Sequence, residues 1–318
     1  MRWRPSVWLN TGLPDLNEVL GDREFGIPYG KIVEISGWES QGKSAIMMAL
    51  AALAQHDGAF VVWIDLENSF TAKWALQRGF LPCPKCRGEA GRKNGIACGA
   101  CGGSLVESLS PTRGLDTDKL LLLQPYVGHF TTVGKDGKLH KEKEPRLTYG
   151  QELLEEAELG MSLPEHVKRF VVIDSVSAVL PEGEQKVSLS NASMRTDMDL
   201  SKLMSRLLRR WSGHAQVHNA LIALVNQLRE GPGGFGASEK TTGGNAARFY
   251  AHARVRVRRT KGSKIMDKGK MVGITGVMKA VKNKSGGSEG MEIGYRIMFK
   301  GPLEFIAAKE AKKNEDNS

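Results

Sequence analysis

The run KIVEIS at 31 to 36 leads directly into Gly37-Trp38-Glu39-Ser40-Gln41-Gly42-Lys43-Ser44, and an alanine-rich helical stretch begins at Ala45. The octapeptide fits G-x-x-x-x-G-K-[ST] in the context that pattern needs, a strand before it and a helix after it. Its glycines let the backbone wrap, so that N–H groups and the helix N-terminus converge on phosphate oxygens. Lys43 adds a charge at the β and γ phosphates, and the Ser44 hydroxyl can ligate Mg2+. The competing reading, a Gly-rich turn with an exposed lysine, accounts poorly for those flanks.

A strand that feeds such a loop belongs to a parallel sheet, and the rest of the chain supplies one. FVVWID at 60 to 65, KLLLLQ at 119 to 124, FVVID at 170 to 174 and ALIALVN at 220 to 226 alternate with helical patterns. Near-continuous apolar strands are what a sheet covered on both faces requires, which makes the fold α/β with a mostly parallel central sheet. Beyond residue 250 the strands follow one another without helices (ARVRVRR, MVGITGVMKAVKNK, IGYRIMFKG, LEFIAA), which predicts an antiparallel C-terminal extension. Two polar, Gly-rich stretches interrupt the alternation. One, 81–113, holds all four cysteines; the other, 128–147, is a charged loop or hairpin with a DG turn signal. The organisation expected is a core over 1–80 and 114–308, an insertion at 81–113, a loop insertion at 128–147 and a disordered tail at 309–318. The longest apolar run, Ala45 to Ala54, is too short for a bilayer, and Pro5 and Asn10 break any signal-like start. A cytoplasmic protein with no membrane partner is expected.

The acids and cysteines extend the chemistry. Val171-Val172-Ile173-Asp174 would deliver Asp174 to the C-terminal edge of the sheet, where open α/β folds bind ligands, and there it would hold the Mg2+ shell with Ser44. Glu67, just past FVVWID, could orient and deprotonate an attacking water; its plainer role would be an acid at a helix N-terminus. Cys83-Pro-Lys-Cys86 and Cys98-Gly-Ala-Cys101 are two C-x2-C knuckles that would present four thiolates to Zn2+. Such a zinc-binding module is more often structural than a nucleic-acid contact, although Lys85, Arg87, Arg92 and Lys93 lie within it. Forty-five Lys and Arg against 35 Asp and Glu leave a net charge of +10, which favours a polyanionic partner.

The stretch Thr241-Thr242-Gly243-Gly244-Asn245-Ala246-Ala247-Arg248-Phe249-Tyr250, with Val281-Lys282-Asn283-Lys284 and the phosphate loop, resembles the RecA-type recombinases over roughly residues 10 to 300, in a divergent, phage-like form. The resemblance implies a RecA-like P-loop ATPase core using ATP and Mg2+. It also implies a helical filament on single-stranded DNA, DNA-stimulated ATP hydrolysis, and strand exchange with homologous duplex DNA. Residue by residue, it makes Glu67 the catalytic carboxylate, Asn226-Gln227 the switch pair with Gln227 sensing the γ-phosphate, and Trp74 the aromatic that stacks on adenine, where the plain alternative is a core tryptophan. Lys282 and Lys284 would reach the neighbouring subunit's nucleotide, so the active site would be completed by self-assembly.

For DNA the resemblance implies two loops, about Glu182 to Asp197 and Glu230 to Thr242. Phe235 would act in the second, backbone N–H groups of Gly243, Gly244 and Asn245 would meet phosphates, and Lys202 and Arg209 would add charge. Arg254, Arg256 and Arg258 share one strand face, read either as solvated or as a second DNA site. The family's N-terminal helix and C-terminal domain have no counterpart in this sequence, so altered filament contacts are expected. Two alternatives stand beside the recombinase: a ring-forming helicase or branch-migration motor of the same superfamily, and an ATP-gated DNA-binding mediator with little turnover.

Overall fold

A computed structural model describes residues 7–87, 112, 114–128, 131–133, 139–141, 146–148, 150–161, 167–185, 195–230 and 239–312. A ten-stranded sheet organises them. From one edge to the other its strands run Leu303–Ile306, Glu292–Met298, Lys270–Asn283, Ala253–Asp267, Ile32–Gly37, Ala220–Arg229, Arg169–Asp174, Phe60–Asp65 and Leu120–Leu123; Lys240–Thr241 pairs with the end of Ala220–Arg229. The six neighbours from Ala253–Asp267 to Leu120–Leu123 pair in parallel, and the remaining pairs are antiparallel. The sequence pattern predicts both regimes. A parallel strand buried on both faces must be apolar through its middle, and Arg169–Asp174, buried at every position with Phe170 to Ile173 between its two charged ends, is the clearest example.

Each face of the sheet has its own core. The helix Lys43–His56 fills one, and eleven of its fourteen residues are buried because its alanines and methionines let it sink between the sheet and the C-terminal strands. Trp63, Phe70 and Phe80 pack beside it with centroids 5.5 to 6.3 Å apart, Phe80 edge to face with each of the other two. On the other face the helices Gly150–Met161 and Arg195–Val217 bury Leu153, Leu154, Met161, Leu208 and Trp211. The Trp211 indole donates to Glu158 Oε2 at 3.0 Å, so the polar atom that burial strips of water keeps a partner.

One boundary differs from expectation. The disordered tail does not begin at 309: Ala308–Lys312 is a helix. Ala311 is buried against Gly294, where an added Cβ would lie 2.8 Å from the alanine methyl, and Thr260 Oγ1 donates to Ala311 O at 3.0 Å. Ion pairs from Arg296 to Glu310 and from Lys312 to Glu292 close the helix over the sheet. A lysine-rich pentapeptide read alone gives no hint of these partners. Residues 313–318 lie outside the described residues. In the 128–147 stretch, Thr131–Val133 pairs antiparallel with Leu139–Lys141, and Val127–Gly128 with Arg146–Leu147. Among the described residues no helix is long and apolar enough to cross a membrane.

Candidate functional site

The segment 37–44 joins the central strand Ile32–Gly37 to the helix Lys43–His56. Gly42 has φ +85°, a backbone that calls for glycine, and an added Cβ would lie 2.4 Å from Ile297 Cδ1, which would have to move aside. The loop is anchored from the C-terminal strands. Tyr295 Oη donates to Gln41 O at 2.7 Å, and Arg259 N donates to Gln41 Oε1. Lys43 Nζ donates to the Trp38 carbonyl at 2.8 Å. Burial lowers the Lys43 pKa, while Glu67, Asp174 and Glu39 oppose the shift.

Two carboxylates end neighbouring strands in register, Asp65 beside Asp174, and their environments separate their roles. Asp65 is consumed by structure. It accepts from Ser69 N at 3.1 Å, Phe70 N at 2.9 Å and Gln124 Nε2 at 2.7 Å, and so fixes the turn that carries Glu67. Asp174 Oδ1 accepts from Ser44 Oγ at 3.1 Å, whereas its buried Oδ2 has no hydrogen-bond partner. Burial first, then the charges of Glu67 and Asp65, push the Asp174 carboxyl up to about 7, against the opposing Ser44 hydroxyl and Lys43. An orphaned carboxylate oxygen next to a serine hydroxyl at the head of a glycine cradle suits Mg2+, a cation that takes oxygen ligands. Glu67 Oε1 accepts from Ser175 Oγ, which lies 2.7 Å from Ser177 Oγ. The helix beyond Glu67 starts only at Ala72 with Thr71 as its cap, so Glu67 is a turn residue and not a helix N-terminal acid.

Gln227 stands opposite Gly37 in register, which brings the end of its strand to the mouth of the phosphate loop. Beside it, Asn226 Nδ2 donates to Glu34 Oε1 at 2.9 Å and to Thr242 O at 3.0 Å, and Arg254 Nε pairs with the other Glu34 oxygen. Glu34 and Asn226 are fully buried. Sequence reasoning did not single out this network, although a glutamate inside the apolar run KIVEIS was its signal. Along the arginine face Arg254 is drawn into an ion pair with buried Glu34, Arg256 pairs with Glu239, and Arg258, exposed to solvent, lies 3.8 Å from Glu292.

Lys282 lies at the level of Glu34, across Arg254, and its Nζ donates to Arg248 O at 2.7 Å. It lines a groove of about 710 Å³ with Glu239, Gly244, Arg248, Phe249 and Arg256. Burial and the charges of Lys284 and Arg254 lower the Lys282 pKa. Lys284 donates its backbone N–H to His252 O at 3.0 Å and stands close enough to Lys31 to disfavour that lysine's charge. Trp74 is 39% exposed on the helix Ala72–Gln77, with the Arg78 guanidinium 5.7 Å from its ring centroid, so it is not a core tryptophan.

Of the residues assigned to DNA, Gly243 and Gly244 form a left-handed turn packed against the helix Arg195–Val217, where a Cβ on Gly244 would lie 2.9 Å from Ser201 Oγ. Asn245 caps the short helix Ala246–Tyr250. Lys202 and Arg209 are exposed on the long helix; Lys202 pairs with Asp199 at 3.4 Å, and Arg209 Nε reaches Tyr250 Oη at 3.4 Å. Phe235, Cys98 and Cys101 lie outside the described residues. Around the other knuckle, Arg87 N donates to Cys83 O at 2.7 Å and Arg87 has φ +49°, a tight turn that curls 83–87 back on itself. Among the described residues no group of three or more His, Cys, Asp or Glu forms a metal cluster.

A central parallel strand feeding a glycine cradle, with a lysine, a serine and a strand-end aspartate converging on it, defines the P-loop class of nucleotide-binding α/β proteins. Within that class, the RecA N-terminal domain family matches residues 8–80 and 157–300, and the chain belongs to that family. The unmatched stretch between those segments contains both polar, Gly-rich stretches. Among its relatives, Protein RecA of Rickettsia bellii (strain RML369-C) is 29% identical over 285 residues, covering 88% of this chain and 64% of the relative. Protein RecA of Clostridium botulinum (strain Eklund 17B / Type B) is 29% identical over 282 residues, covering 87% and 59%. The chain thus spans about three-fifths of the length of the curated relatives it matches.

Proposed function

We propose that this protein is an ATP-dependent DNA recombinase that binds single-stranded DNA as a filament, hydrolyses ATP when on DNA, and pairs the strand with homologous duplex. The observation that carries the reading is the hydrogen bond from Asn226 to Thr242 O. It ties the entry of the Gly243–Gly244 turn to the strand residue adjoining Gln227, which in turn faces Gly37. A nucleotide in the phosphate loop and a DNA phosphate at that turn would thereby act on connected parts of the sheet edge. Support for DNA comes from the backbone N–H groups of Gly243, Gly244 and Asn245, with Lys202 and Arg209 adding salt-dependent attraction.

In this reading Gly37 to Ser44 wrap the phosphates, Lys43 neutralises the β and γ oxygens, and Ser44 and Asp174 hold Mg2+, which would supply charge neutralisation between the phosphates. Glu67, steadied by Ser175, orients a water and takes its proton; Gln227 reads the terminal phosphate. Trp74, with Arg78 behind its ring, offers a face for adenine. Lys282 and Lys284 serve the nucleotide of the neighbouring copy, so turnover requires assembly, and Lys282→Ala abolishes the DNA-stimulated component of hydrolysis. A Zn2+ ion held by Cys83, Cys86, Cys98 and Cys101 would fold the 81–113 insertion as a structural module; the tight turn over Cys83–Arg87 supports the reading.

The deciding experiment is electron microscopy combined with titration of single-stranded DNA against protein without nucleotide, with a slowly hydrolysed ATP analogue, and with ADP. Helical filaments and tight binding in the ATP-analogue state alone are expected. Closed hexamers would replace the recombinase with a ring motor, and equal binding in all three states without turnover would replace it with a mediator.

A further inference from the structure

Trp38, the second residue of the phosphate loop, extends its indole away from the cradle to Glu239. Trp38 Nε1 donates to Glu239 Oε1 at 3.2 Å, while Arg256 Nη1 pairs with Glu239 Oε2. The single carboxylate therefore spans two elements. Arg256 lies beside Ser36 in register, on the strand adjoining the phosphate-loop strand, and its Nη1 holds the second Glu239 oxygen. Glu239 immediately precedes Lys240–Thr241, whose pairing with Arg229 and Leu228 leads to Thr242 and the Gly243–Gly244 turn. Besides this pairing and the Asn226 bond, the stem of that turn is fastened by the contact from Glu239 to the phosphate loop and to Arg256.

We propose that Glu239 is a positioning residue that carries the state of the phosphate loop, through the Trp38 indole, to the DNA-contacting turn at Gly243–Asn245. The proposal rests on the nucleotide-gated recombinase reading above and adds a second route beside Gln227. Its physical basis is that the Trp38 carbonyl is the acceptor for Lys43 Nζ. A γ-phosphate competes with that carbonyl for the ammonium, so the residue whose hydrogen bonding changes with the nucleotide is the residue whose side chain grips Glu239. The Glu239 side chain is 36% exposed, and an ion pair at that exposure adds little to the stability of a fold. Its placement suits a bias on a segment with two arrangements, where a small difference in contact energy between states is sufficient.

The test measures the affinity of the full chain for single-stranded DNA with a slowly hydrolysed ATP analogue and with ADP, in the native protein and in Glu239→Ala, Trp38→Phe and the double variant. The readout is the ratio of the two affinities, which a general weakening of DNA binding leaves unmoved. Each single substitution lowers the native ratio by about fivefold or more, the scale of a typical coupling between sites. The double substitution lowers it no further, because both remove one contact. Glu239→Gln, which keeps an oxygen for the indole, retains more of the ratio than Glu239→Ala. Unchanged ratios in the single variants, or losses that multiply in the double, overturn the proposal and leave the recombinase reading standing. A native ratio of one removes that reading and the proposal with it.

Discussion

Replacing Gly42 by alanine probes the phosphate loop at the point where backbone and packing constrain it together. An L-residue held at φ +85° costs about 1–2 kcal/mol, less about 0.4–1 kcal/mol regained because alanine restricts the unfolded chain. The new methyl would also meet Ile297 Cδ1 at 2.4 Å, in a pocket closed by Tyr295 and Ile274, and forcing a methyl into a packed site costs about 1–3 kcal/mol. Together these give a loss of about 1–5 kcal/mol. The two parts separate in a second variant. Ile297→Val deletes the clashing methyl and by itself costs about 0.5–1.5 kcal/mol. In the double variant the added methyl occupies the space that Cδ1 leaves, so only the net backbone cost remains, about 0–2 kcal/mol. Urea unfolding at constant m-value measures all four proteins. The double variant is expected to be at least about 1 kcal/mol more stable than the sum of the single losses implies. Additive losses would refute the claim that Ile297 is what makes Gly42 indispensable, and would leave the left-handed backbone as the sole reason.

Glu67→Gln keeps ATP and DNA binding but slows turnover by about two to four orders of magnitude, the usual contribution of a positioned base; single-turnover hydrolysis at unchanged nucleotide affinity checks it, and an unaltered rate removes Glu67 from its role. Elemental analysis finds about one Zn2+ per chain, lost in Cys98→Ser and in Cys83→Ser alike; a metal-free native protein sinks the knuckle reading. His252 supplies a pH dependence, because burial, then Lys31, Lys284 and Lys282, lower its pKa to about 4 from the ordinary 6.5. Between those values the unfolded chain takes up a proton that the folded chain refuses. Stability is therefore complete above about pH 6.5 and declines as the pH falls toward 4, by on the order of 1–2 kcal/mol after allowance for solvent screening. Denaturation midpoints across that range should flatten in His252→Asn; an unchanged slope would assign the effect to other groups.

The parallel strands and the phosphate loop were legible because each is a local pattern: VVIDS and GWESQGKS announce strand ends and a glycine turn without reference to anything distant. The helical end at Ala308–Lys312 was not, since its hold on Gly294, Thr260 and Glu292 exists only after the sheet is assembled. The same holds at the site. Asp174 and Glu67 were visible as acids at strand ends, yet nothing in the sequence distinguished Asp65, an equivalent acid, from them; the difference is made by Ser69, Phe70 and Gln124, which consume its oxygens. The alternating Arg254, Arg256 and Arg258 read as a basic face because the three glutamates that neutralise it are scattered over positions 34, 239 and 292.

The strand that bears the phosphate loop lies between two strands whose contacting residues are 192 and 219 positions further along the chain, Asn226 with Glu34 and Val255 with Ser36. An amino-terminal fragment that stops short of about residue 260 therefore lacks at least one flank of the loop, and one that stops before Ala220 lacks both. Contacts of such sequence separation form late, after the closure entropy of the intervening chain has been overcome. During synthesis the glycine cradle emerges early but acquires its shape only when the last third of the chain arrives. A growing polypeptide would thus be unable to capture nucleotide, and so to begin polymerising on DNA, before its own core is closed.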